Sequence, residues 1–278
     1  MNSKDIFQIK KSPNRQITFV THLNPDLDSS LALWLLWKFV FVPHKKSIIF
    51  VPVGEKIEKQ DKTYIHVDTG GKDFDHHQSK EYECSASLVM KVCGLNKDNI
   101  IVRMVDFTLL ADHGKLYDYE IEDFNLLNVI SGLNKKYKDN PSFVIETLFI
   151  CYDAIYSSLT ETREAEKAFV GGIEFDTRWG KGIGFNSRNP RLRNIAYKRG
   201  FELFVFLDHT TGYAGFALKG TSTKDISAIY ETLRKIEPNA DWFLHSSHQL
   251  VLCGSAKAPN KNTTKLSLQE LIEIASRN

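Results

Sequence analysis

A short run of β-branched and aromatic residues, Ile17-Thr18-Phe19-Val20, passes through Thr21-His22 into a polar loop, Asn24-Pro25-Asp26-Leu27-Asp28. An apolar stretch with Leu31, Leu33, Trp34, Leu35 and Trp37 follows. No other stretch narrows the fold as much. The first run favours a strand, Pro25 a tight turn, and the Asp/Ser cluster before the apolar residues a helix N-terminus. Strand, polar loop and helix in succession is the α/β arrangement, in which ligands sit beyond the carboxyl ends of strands. Ser47 to Val53 predicts a second strand. Lys62 to Val67 predicts a third, which runs into Asp68-Thr69-Gly70-Gly71, a tight turn by its paired glycines. Phe74-Asp75-His76-His77-Gln78 comes next. On an extended strand end alternate side chains face opposite sides, so the two adjacent imidazoles are expected to do different jobs.

At 278 residues the chain is long enough for two domains. The expected fold class is α/β: a catalytic N-terminal domain over 1–170, with a mainly parallel sheet flanked by helices, and a smaller α+β C-terminal domain over 194–278. Residues 1–15 read as a polar lead-in, and Ser85 to Val92 as a helix stopped by Gly94. Asn99 to Val105 fits a strand or a helix leading to Asp106, and 125–170 is helical in pattern. The glycine-rich change of texture at 171–193 reads as a linker. Beyond it, 202–207 and 213–218 predict a hairpin, 227–236 a helix, 242–244 and 250–253 strands, and 266–275 a closing helix.

Cys84, Cys93, Cys151 and Cys253 are widely spaced and form no CxxC pair. That spacing argues against a structural zinc site and a disulfide framework, and for reduced thiols in a cytoplasmic setting. A net charge of +2 decides nothing about nucleic acid. The start of the chain has no apolar core of a secretory signal, and the apolar run 31–42 holds Lys38 and is short for a bilayer. No membrane partner is expected.

The candidate chemistry lies in His22, Asp26, Asp28, Asp68, His76 and His77, with Asp112 or Asp106 behind them. Taken singly, each has an ordinary reading as a strand-end polar residue, a helix cap or a turn. Together they crowd the ends of successive strands. Carboxylates that converge there repel one another unless cations neutralise them. Carboxylate and imidazole donors without thiolate suit Mn²⁺ or Mg²⁺ ahead of Zn²⁺, Co²⁺ or Fe²⁺. Two ions ~3.5–4 Å apart and sharing a carboxylate would activate a bridging water for in-line attack on phosphorus.

These residues resemble the motifs of the DHH phosphoesterase superfamily. His22-x-x-Pro25-Asp26-x-Asp28 is similar to its first motif, Asp68 to its second, and Asp75-His76-His77 to its naming triplet. The resemblance implies that His22, Asp26 and Asp68 hold one Mn²⁺-type ion. It implies that Asp28, Asp68, His76 and a fourth-motif aspartate hold the other. Asp68 would bridge, His77 would face the scissile phosphate, and Asp75 would orient the histidines. Val67 to Gly71, Phe74 to Gln78 and Ser85 to Val89 also resemble the Myg1-type family of metal-dependent exonucleases. The first motif departs from that family's His/Asp arrangement. Ala111-Asp112-His113-Gly114 resembles the fourth motif at an altered spacing, which places Asp112 ahead of Asp106. The Gly-Gly-Gly-His element of many superfamily C-terminal domains is missing.

In the second domain, His245-Ser246-Ser247-His248 and Gly254-Ser255-Ala256-Lys257 could clamp a phosphate, or could be the solvated tips of a strand–turn–strand. Arg178, Lys181, Arg188, Arg191 and Arg193, interleaved with Trp179, Phe185 and Tyr197, fit a single-strand track with stacking platforms or a solvated linker. Arg188 is taken with the clamp as substrate-binding. The expected activity is metal-dependent hydrolysis of phosphodiester bonds in short or single-stranded nucleic acid. Small substrates (a cyclic dinucleotide, phosphoadenosine phosphate, pyrophosphate) and a non-catalytic nucleotide-binding regulator are the alternatives. The expected partner is a nucleic acid or nucleotide, with a homodimer left open.

Overall fold

The computed structural model describes residues 1–278 without 13–14, 59–62, 119–122, 188, 256 and 258–261, and without the side chains of 117 and 118. The chain divides into two compact units, Met1–Leu159 and Thr160–Asn278.

In the first unit, β1 (Ile17–His22) lies between β2 (Lys46–Val51) and β3 (Thr63–His66) in a parallel sheet. All six residues of β1 are buried, as a central parallel strand covered on both faces requires. Because the strands are parallel, the chain leaves β1 after His22 and β3 after His66 on the same sheet edge. α2 (Leu27–Leu35) starts at that edge and is buried on every side, which is why its sequence is apolar all round beyond the first turn. Its polar atoms are satisfied: Trp34 Nε1 donates to Asp153 Oδ1 at 3.0 Å, and Ser30 Oγ and Tyr152 Oη lie 2.6 Å apart.

Asp153 and Tyr152 belong to α6 (Pro141–Ala168), whose Val144, Ile145 and Leu148 join the same core. With its short extension to Gly171, it is the one helix among the described residues long and apolar enough to cross a membrane, by length and composition. Three more helices complete the unit's wall: α3 (Ser85–Cys93), α4 (Asn99–Asp112) and α5 (Leu126–Lys136). Gly94 stops α3 at φ 71, the left-handed conformation expected of it. The segment read as strand or helix, 99–105, is helix. The polar lead-in is in fact α1 (Ser3–Lys10). A capping box between Asn2 and Asp5 starts it, and Ile6 and Ile9 bury its thin apolar edge.

The second unit is a six-stranded mixed sheet in the order β4-β5-β6-β7-β9-β8. Its strands are β4 (Ile173–Thr177), β5 (Gly180–Phe185), β6 (Leu203–Asp208), β7 (Tyr213–Leu218), β8 (Trp242–Leu244) and β9 (Leu250–Cys253). One face carries Leu203, Val205, Phe216 and Val251 against α8 (Ser227–Ile236) and α9 (Leu268–Arg277). The other face packs Ile183, Phe185 and Phe204 against Phe169 and α7 (Pro190–Lys198).

The expected linker at 171–193 is not a linker. It folds as the β4–β5 hairpin, with β5 parallel to β6, and runs into α7. The alternating glycines that hid the strand are what packing demands. A Cβ on Gly182 would lie 2.5 Å from the Phe175 ring, and one on Gly184 would lie 2.8 Å from Ile272.

Candidate metal centre

Four segments deliver donors to the sheet edge. β1 ends in His22, and the Pro25 turn then places Asp26 as N-cap of α2, with Oδ1 accepting from the Ser29 amide at 2.9 Å. Asp28, in the first turn, is 2 % exposed. After β3 the chain passes Asp68 at φ 57, Gly70 at 84, Gly71 at 67 and Asp73 at 58, all in the left-handed region. Two aspartates there cost about 1 kcal/mol each and must be held by their surroundings. The Asp68 amide donates to Phe74 O (3.0 Å), the Phe74 amide to His66 O (3.1 Å), and the His66 amide to Asp73 Oδ2 (3.0 Å). Phe74, fully buried, anchors the loop in the core. The third segment is the N-terminus of α3, and the fourth is Asp112, the last residue of α4.

Asp68 is the centre of the arrangement. Its Oδ2 lies 3.2 Å from His22 Nε2, and its Oδ1 lies 3.4 Å from His76 Nε2 and 3.6 Å from His77 Nδ1. His22 Nε2 is also 3.9 Å from Asp26, while His76 Nε2 is 3.7 Å from Asp28 and 3.6 Å from Asp112. Three groups of donors result: His22, Asp26 and Asp68; Asp28, His76 and Asp112; and Asp68, His76 and His77. Asp106 is exposed on α4 and belongs to none of these groups.

The expectation that the histidines face opposite ways is overturned. Residues 76–79 form a turn, closed by the Ser79 amide on His76 O at 2.8 Å, so strand alternation does not apply. The two rings sit 4.7 Å apart and both approach Asp68 Oδ1. Of the two histidines Asp75 contacts His77: Oδ1 lies 2.7 Å from His77 Nδ1 and accepts from the His77 amide, while Oδ2 accepts from the Gly71 amide.

Sequence reasoning passed over the helix that supports the carboxylates. Asp28 accepts from the Ser85 amide at 2.7 Å and the Ala86 amide at 2.8 Å, and Ser85 Oγ donates to Asp68 Oδ1 at 3.1 Å. The N-terminal end of α3 thus holds two negative side chains, Asp28 through free N–H groups and Asp68 through the Ser85 hydroxyl, with a favourable dipole. The Ser-rich start of that helix was the available signal. A pocket of about 600 Å³ opens beside Asp26, Asp28 and Asp112, and α5 adds Asn134 and Lys135 to its wall.

Electrostatics show how much negative charge the site carries. Burial first, and then the Asp68 charge, push Asp28 up to about 7. The Asp68 carboxylate, followed by Asp28 and Asp112, outweighs burial and raises His76 to about 9. His22 is also raised, because Asp68 and its acidic neighbours overcome the burial that would lower it. Burial would raise Asp68, but His22 and His76 override it and hold it well below the usual carboxylate range. Asp112 is raised, chiefly by burial.

The donors fit divalent cations. His76 Nε2 is buried and makes no hydrogen bond among the described residues, although three carboxylates surround it at 3.4–3.7 Å. Ligands about 2.1 Å from one ion stand about 3.0–3.4 Å from each other in octahedral or tetrahedral order, close to this spacing. Without a cation, protons must occupy the cluster, as the raised Asp28 and His76 show.

His245 to His248 form the β8–β9 turn, closed on itself: His245 Nδ1 accepts from the Ser247 amide at 3.1 Å. His248, at φ 58, lies 3.0 Å from both Asp225 and Ser227. Ser246 is exposed in that turn, Gly254 and Ser255 follow β9, and Lys257 is exposed. Arg188 lies outside the described residues. The stacking platforms expected at Trp179 and Phe185 are not available, since both are buried, 4 % and 3 % exposed.

No family model matches the chain, and no curated protein does. Among solved structures, a DHH-domain protein described as a member of the s1p family of ribosomal proteins shares 11% identity. The match covers 99% of this chain and 89% of that one, at a TM-score of 0.31. An exopolyphosphatase-related protein from Bacteroides fragilis shares 12% identity over 98% of this chain and 94% of its own, at 0.24.

Proposed function

We propose that the chain is a divalent-metal-dependent phosphoesterase. The observation that supports this best is Asp68, whose two carboxylate oxygens face two different donor groups. His22, Asp26 and Asp68 would hold one ion, and Asp28, Asp68, His76 and Asp112 the other. Bound ions of the Mn²⁺ type would supply an activated water and neutralise phosphoryl oxygens. The protein's own contribution is positional. α3 holds Asp28 and Asp68 in place, and Asp75 fixes the His77 ring through Nδ1. His77 Nε2 is then the atom left to hold or give up a proton at a phosphoryl oxygen, on a side chain half exposed to substrate.

The favoured substrate is short or single-stranded nucleic acid. The volume of the pocket beside Asp26, Asp28 and Asp112, about 600 Å³ with Asn134 and Lys135 in its wall, favours a second reading: small phosphorylated molecules. A product screen with Mn²⁺-loaded protein separates them, using short oligonucleotides, a cyclic dinucleotide, phosphoadenosine phosphate and pyrophosphate. Mononucleotides released from oligonucleotides uphold the first reading. Turnover of small substrates alone selects the second. Metal and nucleotide binding without any turnover would leave a regulator and refute the hydrolase.

A further inference from the structure

The face of the second unit's sheet that carries Phe204 and Phe206 is only partly covered. α7 and Phe169 pack over its β5–β6 side, while Leu250, Leu252 and Phe206 keep partial exposure and Phe243 is 55 % exposed. Strand register builds a slot there. Phe204, Ala217 and Leu250 are paired across β6, β7 and β9, and so are Phe206, Gly215 and Leu252. β7 therefore offers a low floor, with walls of Phe on one side and Leu on the other, two strand spacings or about 9.5 Å apart. Phe206 and Leu252 lean together over Gly215 and close one end; a Cβ on Gly215 would lie 2.6 Å from one and 2.7 Å from the other. What remains is a cavity of about 170 Å³ over Ala217, ended by the start of α7 with Ser187, Asn189 and Arg193.

Two features narrow its ligand. The rings of Phe185, Phe204 and Phe206 form a near-parallel set, 28° apart at each step, and Phe206 is the partly exposed end of it. A flat aromatic ring extends such a set better than an aliphatic chain does. At the mouth, Arg193 is exposed and has no ion-pair partner among the described residues. The helix that carries it is fixed. Tyr197, one helical turn on, donates from its hydroxyl to Ala217 O or Leu218 O, both at 2.9 Å, and so pins α7 over β7. A guanidinium carried to the rim of an aromatic slot suits a phosphate oxygen on the ligand's polar arm.

We propose that the slot over Ala217, walled by Phe204, Phe206, Leu250 and Leu252 and guarded by Arg193, binds a nucleotide: base against Phe206, phosphate at Arg193. The inference goes beyond the phosphoesterase reading and needs no metal. Its test is therefore run in EDTA on an Asp68→Ala background, so that nucleotide held at the metal centre does not intrude.

Adenosine monophosphate, adenosine and inorganic phosphate are titrated calorimetrically, and 8-azido-adenosine monophosphate maps the site. Saturable monophosphate binding is expected, with labelling in 203–218 or 250–252. Phe206→Ala and Arg193→Gln should each weaken it about tenfold or more. Adenosine should respond to the first variant only. Ala217→Leu, which fills the cavity with unchanged polarity, should abolish binding while the thermal melt stays cooperative. A five-nucleotide single strand that binds as well as the monophosphate identifies the ligand as a strand end; preference for the monophosphate identifies a free nucleotide. No saturable binding, binding indifferent to all three variants, or labelling confined to 1–159 overturns the proposal. So does a concentration-dependent dimer that Phe206→Ala dissolves in the absence of nucleotide binding, which would assign the face to self-association.

Discussion

Lowering the pH from 8 to 6 should strip divalent cations from the centre, and the size of the effect follows from two groups. A metal can bind only when its ligands have lost their protons. His76, raised to about 9, is mostly protonated throughout this range, so each unit of acidification costs a decade of affinity, two in all. Asp28, raised to about 7, is mostly ionised at pH 8 and mostly protonated at pH 6, which adds about one decade more. Mn²⁺ affinity should therefore fall about a thousandfold from pH 8 to 6, with His22 steepening the slope in the same direction. Calorimetry in buffers of different ionisation heat should count about one proton released per binding event at pH 8 and about two at pH 6.

The stability of the metal-free chain carries the same information with opposite sign. For raised groups such as His76 and Asp28, stability is present below their unfolded pKa and lost as pH rises through about 9 and about 7. The metal-free melting temperature should fall from pH 6 to 8, while that of the Mn²⁺-saturated chain rises. An affinity that changes less than tenfold, or heats independent of buffer, would refute the placement of His76 among the carboxylates.

Other substitutions test separate parts of the structure. Asp68→Ala should lower Mn²⁺-dependent turnover by about a thousandfold or more and reduce bound metal, measured by elemental analysis, at both donor groups. Asp112→Ala should weaken Mn²⁺ binding where Asp106→Ala leaves it unchanged, because only Asp112 stands beside His76. Gly70→Ala, at φ 84 and with a Cβ 2.6 Å from His66 Cδ2, should destabilise the loop by more than about 1 kcal/mol in urea titration and weaken metal binding with it. Leu33→Ala, in the fully buried α2, should cost about 2–5 kcal/mol of unfolding free energy in the same assay.

What the sequence revealed were local patterns, each complete within a few residues. The strand–loop–helix at 17–35 and the hairpin of β6 and β7 announce themselves by residue type and period. His22, Asp26, Asp28, Asp68, His76 and His77 are visible as a set because they follow two predicted strands, whereas Asp112 closes a helix. What it hid depended on partners distant in the chain. Glycines in β5 read as a linker because the reason for them, Phe175 and Ile272 lying on the backbone, is supplied from elsewhere. α1 looked like a ragged polar start because only Ile6 and Ile9 face inward. The direction of the His76 and His77 rings was misjudged because the loop's left-handed residues turn the chain before it reaches them. Asp28 showed its possible role as ligand, but the amides that hold it lie 57 and 58 residues further on.

That last contact gives the centre a built-in gauge. The two oxygens of Asp28 engage the amides of Ser85 and Ala86, while one of them also looks toward His76. Anything that draws electron density from this carboxylate, whether a proton or a cation, must be felt by those two N–H groups. Their chemical shifts and deuterium-exchange rates would report the filling of the centre from a helix that carries none of the imidazoles, with no substrate present.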